Sequence, residues 1–504
     1  MSAPTDWRRL DGRVVLVPVV LALLPLVPTL AVMLVAGTKP GGVAATAGIW
    51  AACAVLIAVS TGLDWWFGSY RVGEERVELR KGVLSRSHRS LPRDRIRSVD
   101  LTADPMHRVF GLSVVKIGTG AQGDGELKLD ALARRDAERI RAALLLREST
   151  SDESPEGAAE EPRGGVLARL RPAWLLYSGA TMSLILAVWG AIASTVGSFS
   201  ELLVKFGVYR VVGEELQAVP LWLAIVVPAL VVVLIGVLGS LLLSLELWWG
   251  FTLTRESAGT LRVRRGLLTQ RSISLEESRL RGVELSEPLL LRWVGGARTH
   301  AVATGLSDEE GGKQPDAKTL LPPAPRAQAR RVAAAVLREE SFPVDGFTTH
   351  PSAALRRRIT WGLLVALPFA VVAVVSAVLG WIPIGLAVTV VPSAALLGIA
   401  FGIDAYRNLG HRLHGTYLVS RRGTALRRTV ALRRDGIIGW RFEQSVFQRR
   451  SGLLDVVATT AAGAGQCAVP DVRAGDGLAL AEDAVPGLLA PFLEPVPPIN
   501  TRDG

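Results

Sequence analysis

The chain has 504 residues, of which 49% are hydrophobic and only 20% charged, with a net charge of +11 and a mean hydropathy of +0.33. This length is enough for several domains. The excess of apolar residues excludes a single ordinary soluble domain and favours membrane spans that alternate with polar domains. The two cysteines, Cys53 and Cys467, lie in an apolar run and in a polar segment. We therefore expect no structural disulfide between them, and neither belongs to a metal-binding spacing.

The first apolar region follows a short basic tail over residues 1–13. Residues 14–36 resemble a signal peptide, but the run is too long, no small-residue cleavage pattern ends it, and a second apolar run over residues 43–63 follows at once. A helix needs roughly 20 residues to cross about 30 Å of hydrocarbon. We therefore interpret residues 14–66 as a transmembrane hairpin.

The same alternation continues along the chain, and its clearest part is the run over residues 359–403. That run contains no charged residue and has Gly380-Trp381-Ile382-Pro383 near its centre, so it predicts two crossings. In order, we predict a polar domain at 67–148, an acidic flexible linker at 149–172, a second hairpin at 173–248, a second domain at 249–340, a linker at 341–358, a third hairpin at 359–404, a third, divergent domain at 405–495 and a tail at 496–504.

Basic residues are distributed unevenly around these predicted spans. The segments between the two spans of each hairpin contain only Lys39, Lys205 and Arg210, whereas the other 54 basic residues lie in the tail and the polar segments. Lysine and arginine accumulate on the cytoplasmic side of membrane proteins. We therefore predict a multi-pass protein of the cell membrane whose N-terminus and three polar domains are cytoplasmic.

The three polar domains are repeats of one another. A shift of 184 residues carries Gly82 to Gly266, Leu91 to Leu275 and Val99 to Val283, and a shift of 341 carries Gly82 to Gly423. A constant offset over several positions is not expected by chance, and here two such offsets occur. The chain therefore contains three copies of one unit. We refer to residues 67–148, 249–340 and 405–495 as repeats 1, 2 and 3.

Each repeat has the pattern of a small β domain. Short apolar alternation interrupted by turn residues predicts antiparallel strands. An apolar stripe at steps of three and four residues predicts a closing helix at 133–146 in repeat 1 and at 327–337 in repeat 2. Pro486 interrupts the corresponding segment of repeat 3.

These features together resemble the bacterial pleckstrin-homology-like (PH-like) domain. They comprise an aromatic opener (Tyr70, Phe251, Tyr417), a basic R-x-G hairpin, an R-[IL]-R-x-V-[DE] strand and an R-x-x-G step. The resemblance implies three β-sandwich or partial-barrel domains, each capped by a C-terminal helix and alternating with three transmembrane hairpins of six helices; it implies no settled activity. Repeat 3 departs from the pattern, because Gly436 and Ile438 replace Arg95 and Arg97.

The residues provide no catalytic constellation. The six histidines are scattered, and His411 and His414 form a close pair for which no third ligand lies nearby in the sequence. No P-loop, zinc ligand set or nucleophile-elbow motif occurs. We therefore predict a protein that is not an enzyme, with no catalytic residue, metal or cofactor.

Clusters of basic residues on the predicted strands are the candidate binding sites. Beside a bilayer they would hold anionic lipid headgroups, each contributing about 1 kcal/mol, or they would bind protein partners. The alternative is a solvated strand face together with the cytoplasmic charge bias. Nucleic acid is not expected, since few aromatic residues interleave with the arginines. The candidates are Arg80, Lys81, Arg95, Arg97, Arg264, Arg265, Arg279, Arg281, Arg421 and Arg422.

The sequence therefore predicts a membrane scaffold or regulator. Its cytoplasmic domains would bind partner proteins, each other or anionic phospholipid headgroups. The alternative is a transporter or export component for toxic peptides or lipids, although charged residues are absent from the interiors of the predicted spans, where transporters keep them for function.

Overall fold

The computed structural model of the chain describes residues 7–35, 39–73, 75–82, 87–93, 96, 98–118, 126–145, 165–198, 200, 204, 207, 220–256, 259–304 and 318–492. The chain forms two compact units, Met1–Leu170 with Leu242–Arg279 (unit 1) and Arg171–Leu241 with Leu280–Gly504 (unit 2). Lys205, Arg210 and most of the predicted acidic linker lie outside the described residues.

The helices are of two kinds, long apolar ones and short ones within the repeats. In chain order they are α1 (Leu16–Leu23), α2 (Leu26–Val35), α3 (Pro40–Phe67), α4 (Pro105–Val109), α5 (Arg134–Leu145), α6 (Met182–Ser198), α7 (Leu221–Trp248), α8 (Leu289–Trp293), α9 (Arg326–Leu337), α10 (Ser352–Val378), α11 (Ile384–Arg407), α12 (Val446–Arg450) and α13 (Ala474–Ala484). The closing helices predicted for repeats 1 and 2 are thus confirmed as α5 and α9, and α13 ends before Pro486.

The strands are short, with two to nine residues each. They are β1 (Arg8–Arg9), β2 (Ser69–Val72), β3 (Arg76–Lys81), β4 (Ser87–Pro92), β5 (Ser98–Ala103), β6 (Leu112–Gly118), β7 (Glu126–Ala133), β8 (Val166–Arg169), β9 (Thr252–Glu256), β10 (Thr260–Arg265), β11 (Gln270–Glu276), β12 (Leu280–Pro288), β13 (Gly296–Ala303), β14 (Thr319–Pro325), β15 (Gly410–His414), β16 (Tyr417–Arg422), β17 (Leu426–Arg433), β18 (Ile437–Glu443), β19 (Leu453–Thr460) and β20 (Gln466–Arg473).

Long apolar helices confirm the membrane character of the chain. Within the described residues, five segments are long and apolar enough to cross a membrane: Gly12–Leu30, Pro40–Phe67, Trp222–Trp248, Ser352–Val378 and Ile384–Arg407. Large apolar side chains such as Leu230 and Val372 are exposed on these helices. Helices that are apolar all round and remain exposed are typical of membrane spans.

Unit 1 contains two antiparallel sheets over its described residues. The first has the order β1-β2-β3-β4 and the second the order β7-β6-β5-β11-β10-β9-β8. Val77 and Leu79 of the first sheet pack with Val99, Ile117 and other apolar residues of the second in one core, which α5 closes through Ala137. Repeat 1 is therefore a two-sheet sandwich whose second sheet continues into the strands of repeat 2.

Unit 2 also contains two sheets over its described residues. Their orders are β14-β13-β12-β17-β16-β15 and β18-β19-β20. Leu418 and Leu432 of the first sheet pack with Val456 and Val469 of the second, and Ala481 of α13 closes this core. Strands from repeats 2 and 3 thus share a sheet, in the same way that strands from repeats 1 and 2 share one in unit 1.

The two shared sheets join successive repeats in one register. Ser98 of β5 lies opposite Leu275 of β11, and Gly282 of β12 lies opposite Leu432 of β17. Ser98 and Gly282 are equivalent in the repeat, and so are Leu275 and Leu432, as the offsets of 184 and 341 require. Thus β5 and β12, which are equivalent, pair with β11 and β17, which are equivalent strands of the next repeat. We call these two pairings the inter-repeat junctions.

Short strands before the apolar hairpins pair with the strands that follow those hairpins. Arg8 of β1 lies opposite Tyr70, Arg169 of β8 lies opposite Thr252, and Thr348 forms a bridge with His411. We call each pairing a hairpin clasp. Sequence analysis placed these segments in the tail and in two linkers, because two to four residues are too short to show a strand period.

The third predicted span differs from a single straight helix. A 3-10 helix over Pro172–Ala180 precedes α6, and the two are bent by 73°. Trp174 and Ser178 are buried in this segment, and Arg298 of β13 donates to the Thr181 hydroxyl at 2.9 Å. Contacts with polar strands of the same unit therefore redirect the first part of the predicted span.

Candidate functional site at the span and repeat junctions

The R-x-G turns of the repeats depend on glycine. Gly82, Gly266 and Gly423 have backbone φ angles of 106°, 109° and 99°. Residues other than glycine rarely adopt this conformation. A Cβ at Gly266 would also collide with the Thr269 carbonyl oxygen. The backbone geometry therefore explains why this residue recurs in all three repeats.

In repeat 2, the R-x-G turn is fixed by a carboxylate at the end of a span. Glu246, in the last turn of α7, accepts hydrogen bonds from the backbone N–H groups of Leu268 at 2.9 Å and Thr269 at 3.0 Å. The Gly266 N–H also donates to the Trp249 carbonyl at 2.9 Å. These bonds hold the turn against the C-terminal end of α7.

In repeat 3, Asp404 of α11 has the corresponding role. Its Oδ2 accepts from the Thr424 hydroxyl at 2.7 Å and from the Asn408 side chain at 2.9 Å, and it lies 2.8 Å from Arg292 Nη2. Asp64 is the third span-end acid, and the turn residues 83–86 that follow it lie outside the described residues. Sequence analysis located these acids only at the ends of the spans, although an acid one or two residues before an aromatic residue in all three hairpins was an available signal.

The arginine of the R-x-x-G step contacts the next repeat. Arg108 of repeat 1 donates to the Leu267 and Leu268 carbonyl oxygens in the turn of repeat 2, the second at 3.1 Å. Its equivalent Arg292 pairs with Asp404, which binds the turn of repeat 3. Arg449, the third equivalent, is exposed.

Ion pairs reinforce both inter-repeat junctions. Arg141 of α5 lies 3.2 Å from Glu256, and Arg262 lies 3.0 Å from Glu138. At the other junction, buried Glu287 lies 2.6 Å from Arg427 of the next repeat. Burial opposes ionisation of Glu287, but Arg427 and Arg326 outweigh it and lower the pKa of this carboxyl.

The candidate basic residues of repeat 1 mostly contact the chain itself. Arg80 is exposed and its guanidinium stacks 3.9 Å from the Trp7 ring centroid. Lys81 Nζ lies 2.7 Å from Asp130; burial raises the pKa of this acid, and the bonds from Lys81 and Lys128 outweigh burial and lower it. Arg95 and Arg97 lie outside the described residues.

The candidates of repeats 2 and 3 differ in exposure and in the residues that they contact. Arg264 is exposed, whereas its neighbour Arg265 is buried and stacks 4.2 Å from the Trp248 ring centroid. Arg279 pairs with Glu276. In unit 2, Arg281 lies 3.6 Å from Asp435.

Arg421 and Arg422 complete the set of candidates. Arg421 is half-buried over the Phe347 ring at 4.3 Å, and burial lowers its pKa. Arg422 is partly exposed and lies opposite Arg428 in the sheet. Among the described candidates, Arg80 and Arg264 have exposed side chains.

The span α10 is fixed to repeat 3 by a buried acid that sequence analysis missed. Asp471 is fully buried with φ of 59°. It pairs with Arg357 and, at 2.8 Å, with Arg358 Nε, and it accepts from Gln448 Nε2 at 3.1 Å. The ion pair joins residues more than 110 positions apart, so sequence spacing contained no signal for it.

Two histidines pack together beside this acid. The His350 and His411 rings are T-shaped with centroids 5.2 Å apart. Burial, and secondarily the neighbouring His411, lowers the pKa of His350 to about 4, and burial lowers the pKa of His411. His414, the predicted companion of His411, instead lies 2.9 Å from Arg412.

No metal site is formed by the part of the chain that the structure describes. Within it, no group of three or more histidine, cysteine, aspartate or glutamate side chains is placed to hold a metal ion. The free thiol of Cys467 is buried, and burial raises its pKa to about 12.

Comparison with known proteins agrees with this architecture. The sequence profile of the bacterial PH domain family matches residues 17–148 and 359–483, just over half of the chain. Each matched segment contains an apolar hairpin and the repeat that follows it. The chain is 21% identical over 418 residues to the UPF0699 transmembrane protein YdbT of Bacillus subtilis (strain 168), which covers 80% of this chain and 81% of the relative. No solved structure matches significantly. The chain belongs to the bacterial PH domain family, as a transmembrane member.

Proposed function

We propose that this membrane protein is a non-enzymatic scaffold or regulator whose three PH-like domains bind proteins through their sheet edges. The observation that carries the proposal is the pair of inter-repeat junctions, in which β5 pairs with β11 and β12 pairs with β17 in one register. Edge pairing gives affinity through backbone hydrogen bonds, and flanking side chains give specificity. Sheet edges of successive repeats thus already bind each other within the chain.

The hairpin clasps support an arrangement of three hairpins. Arg8 and Tyr70 are paired although two apolar segments separate them in sequence, and Arg169 and Thr252 are paired in the same way. A segment whose ends are paired in one sheet leaves and returns on one side of the membrane. With the charge bias, this supports cytoplasmic placement of all three domains.

Protein binding is better supported than headgroup binding as the main role. Lys81, Arg279 and Arg281 face acids of the chain, and Arg265 is buried. A cation that is already paired gains less from a lipid phosphate. Contact with anionic headgroups is therefore a secondary proposal, centred on exposed Arg80 and Arg264.

Close helix packing favours the scaffold over the transport alternative. Within the third hairpin, a Cβ at Gly398 would lie 2.6 Å from the Gly362 carbonyl oxygen, and one at Gly402 would lie 2.7 Å from Ile359 Cα. Small residues at such contacts let two helix backbones approach closely. This hairpin therefore has no internal space for a substrate along these residues.

The test is site-specific photo-crosslinking of the full chain in native membranes. A photoreactive residue replaces exposed His88 of β4 in one variant and exposed Ile438 of β18 in another, and lipid-facing Val372 is the control. We expect protein adducts at the first two positions and lipid adducts at Val372. If both domain positions yield lipid adducts or none, the scaffold proposal is wrong.

A further inference from the structure

Among the described residues, two edge strands, β4 and β18, have one neighbouring strand each, whereas the equivalent strands of the other repeats have two. Among the described residues, β4 pairs only with β3 and β18 pairs only with β19. Their equivalents β11 and β17, and β5 and β12, pair on both sides. Repeat 1 therefore presents the edge that receives a preceding repeat, and repeat 3 presents the edge that receives a following one.

The β18 edge retains a feature that a neighbouring strand needs. Gly282 in β12 follows a register shift after Leu280, and a Cβ there would collide with the Ala431 carbonyl oxygen of the partner strand. Gly439 is its equivalent in β18 and follows the same shift after Ile437. A Cβ at Gly439 would meet nothing within 4 Å, so the close approach that this glycine permits is unused within the chain.

Apolar side chains next to this edge are also exposed. Ile438 is 65% exposed, and Val446 and Phe447 of α12 are 59% and 74% exposed. Leu289, the equivalent of Val446, is only partly exposed, and its N–H donates to Ala425 in the turn of the next repeat at 2.8 Å. The surface that contacts a following repeat at the earlier junction is thus open in repeat 3.

The register of the two existing junctions determines which residues would meet at a third. Transferred by the repeat offsets, it places Gly439 opposite Leu91, Trp440 opposite Ser90 and Arg441 opposite Arg89. The residues equivalent to Arg441 are the acids Asp100 and Glu284, which lie opposite Ile273 and Val430. A pair of arginines there weakens the contact, and Glu443, 2.9 Å from Arg441, partly offsets it.

We propose that the β18 edge of one molecule pairs antiparallel with the β4 edge of a second copy of this chain, in the register of the inter-repeat junctions. The proposal deepens the proposed function and rests on it, since both edges must lie on one face of the membrane. The contact is heterologous, so it builds rings or chains of molecules. The arginine pair keeps it weak and reversible.

Disulfide crosslinking of the full chain in native membranes tests this register. Both natural cysteines are replaced (C53S and C467A), and two differently tagged copies carry R441C and R89C. Cross-strand cysteines at opposite positions are within disulfide distance, so we expect a mixed-tag dimer on mild oxidation. The matched control replaces R89C by S90C, which points to the other sheet face and should crosslink far less.

Two further variants separate docking from folding. R441E places opposite charges across the junction and should increase the self-adduct formed by a photoreactive residue at Ile438 roughly fivefold, and adding R89E should reverse the gain. G439V should abolish the dimer and leave thermal unfolding unchanged, because its Cβ meets nothing in the chain. Equal crosslinking of R441C/R89C and R441C/S90C, or no response to R441E, overturns the proposal.

The remaining outcomes distinguish this inference from the proposed function. A dominant R441C–R441C dimer overturns pairing of β18 with β4 of a second copy. A photo-adduct at Ile438 that contains only another protein overturns the inference and supports the scaffold. A self-adduct that R441E strengthens supports both.

Discussion

Individual acids pair with arginines that are distant in the chain and so have structural roles. Glu287, Asp404 and Asp471 each pair with at least one arginine distant in the chain. The sequence predicted the arginine clusters, which we assigned to lipid headgroups, protein partners or a solvated strand face. It missed the pairs because an ion pair across more than 100 residues has no periodicity.

Asp471→Asn tests the buried acid without disturbing the backbone. Asparagine tolerates the left-handed conformation of this residue, but it leaves Arg357 and Arg358 without a buried anion. Removing one partner of a buried ion pair costs about 3–5 kcal/mol. We expect a large fall in the midpoint of thermal unfolding of the detergent-solubilised protein.

Asp435→Asn is the control, because Asp435 is half-exposed and pairs with Arg433 on the surface. Exposed ion pairs contribute about 0–1 kcal/mol. Equal destabilisation by both substitutions would show that Asp471 does not anchor α10.

The histidine pair predicts a loss of stability in acid. The folded pKa of His350 is about 4, below about 6.5 in the unfolded chain. The unfolded state therefore binds more protons between these values, so stability is complete above pH 6.5 and falls as the pH is lowered toward 4. Between pH 6.5 and 5 the loss reaches about 2 kcal/mol.

The measurement compares thermal unfolding of the wild type and His350→Gln at pH 7.5 and pH 5. Glutamine does not titrate, so the difference between the two pH values should be smaller in the variant. An unchanged pH dependence would mean that His350 is not buried as a neutral base.

Elements show where sequence reasoning succeeds and where it fails. The pattern of apolar alternation and helical stripes predicted the strands and the helices α5 and α9, because it is a local signal. It did not predict that β5 pairs with β11 of the next repeat, since strand partners depend on which edges meet in three dimensions. The clasps were missed because strands such as Arg8–Arg9 are too short.

Gly282→Val and Gly439→Val form a matched pair at the element scale. The side chain at Gly282 would collide with Ala431 of β17, whereas Gly439 has no neighbour within 4 Å. We expect Gly282→Val to lower the thermal unfolding midpoint strongly and Gly439→Val to leave it within about 0.5 kcal/mol of the wild type. Similar effects at both positions would show that the β12–β17 junction does not stabilise the protein.

At the scale of the whole molecule, topology is the prediction on which the proposed function depends. In a Cys53→Ser background, single cysteines replace Ser87 or Glu443 in the domains, and Lys39 or Trp381 between the spans. A membrane-impermeant maleimide should label the last two in intact cells and the first two only after permeabilisation. Labelling of a domain cysteine from outside would contradict cytoplasmic placement.

The remaining thiol serves as an internal control in this experiment. Cys467 is buried and its pKa is raised to about 12, so little thiolate forms at neutral pH. We expect it to react only after the protein is unfolded, which distinguishes access across the membrane from loss of structure.

The hairpin clasps impose an order on biosynthesis. Because Arg9 pairs with Ser69, and Arg169 pairs with Thr252, a sheet gains its last strand only after the intervening apolar segment has been delivered to the bilayer. The strand before each hairpin is synthesised some 60 to 80 residues before the strand with which it pairs. Assembly of the sheets therefore follows the order of the hairpins in the chain, and failed insertion of a hairpin leaves a sheet without its last strand.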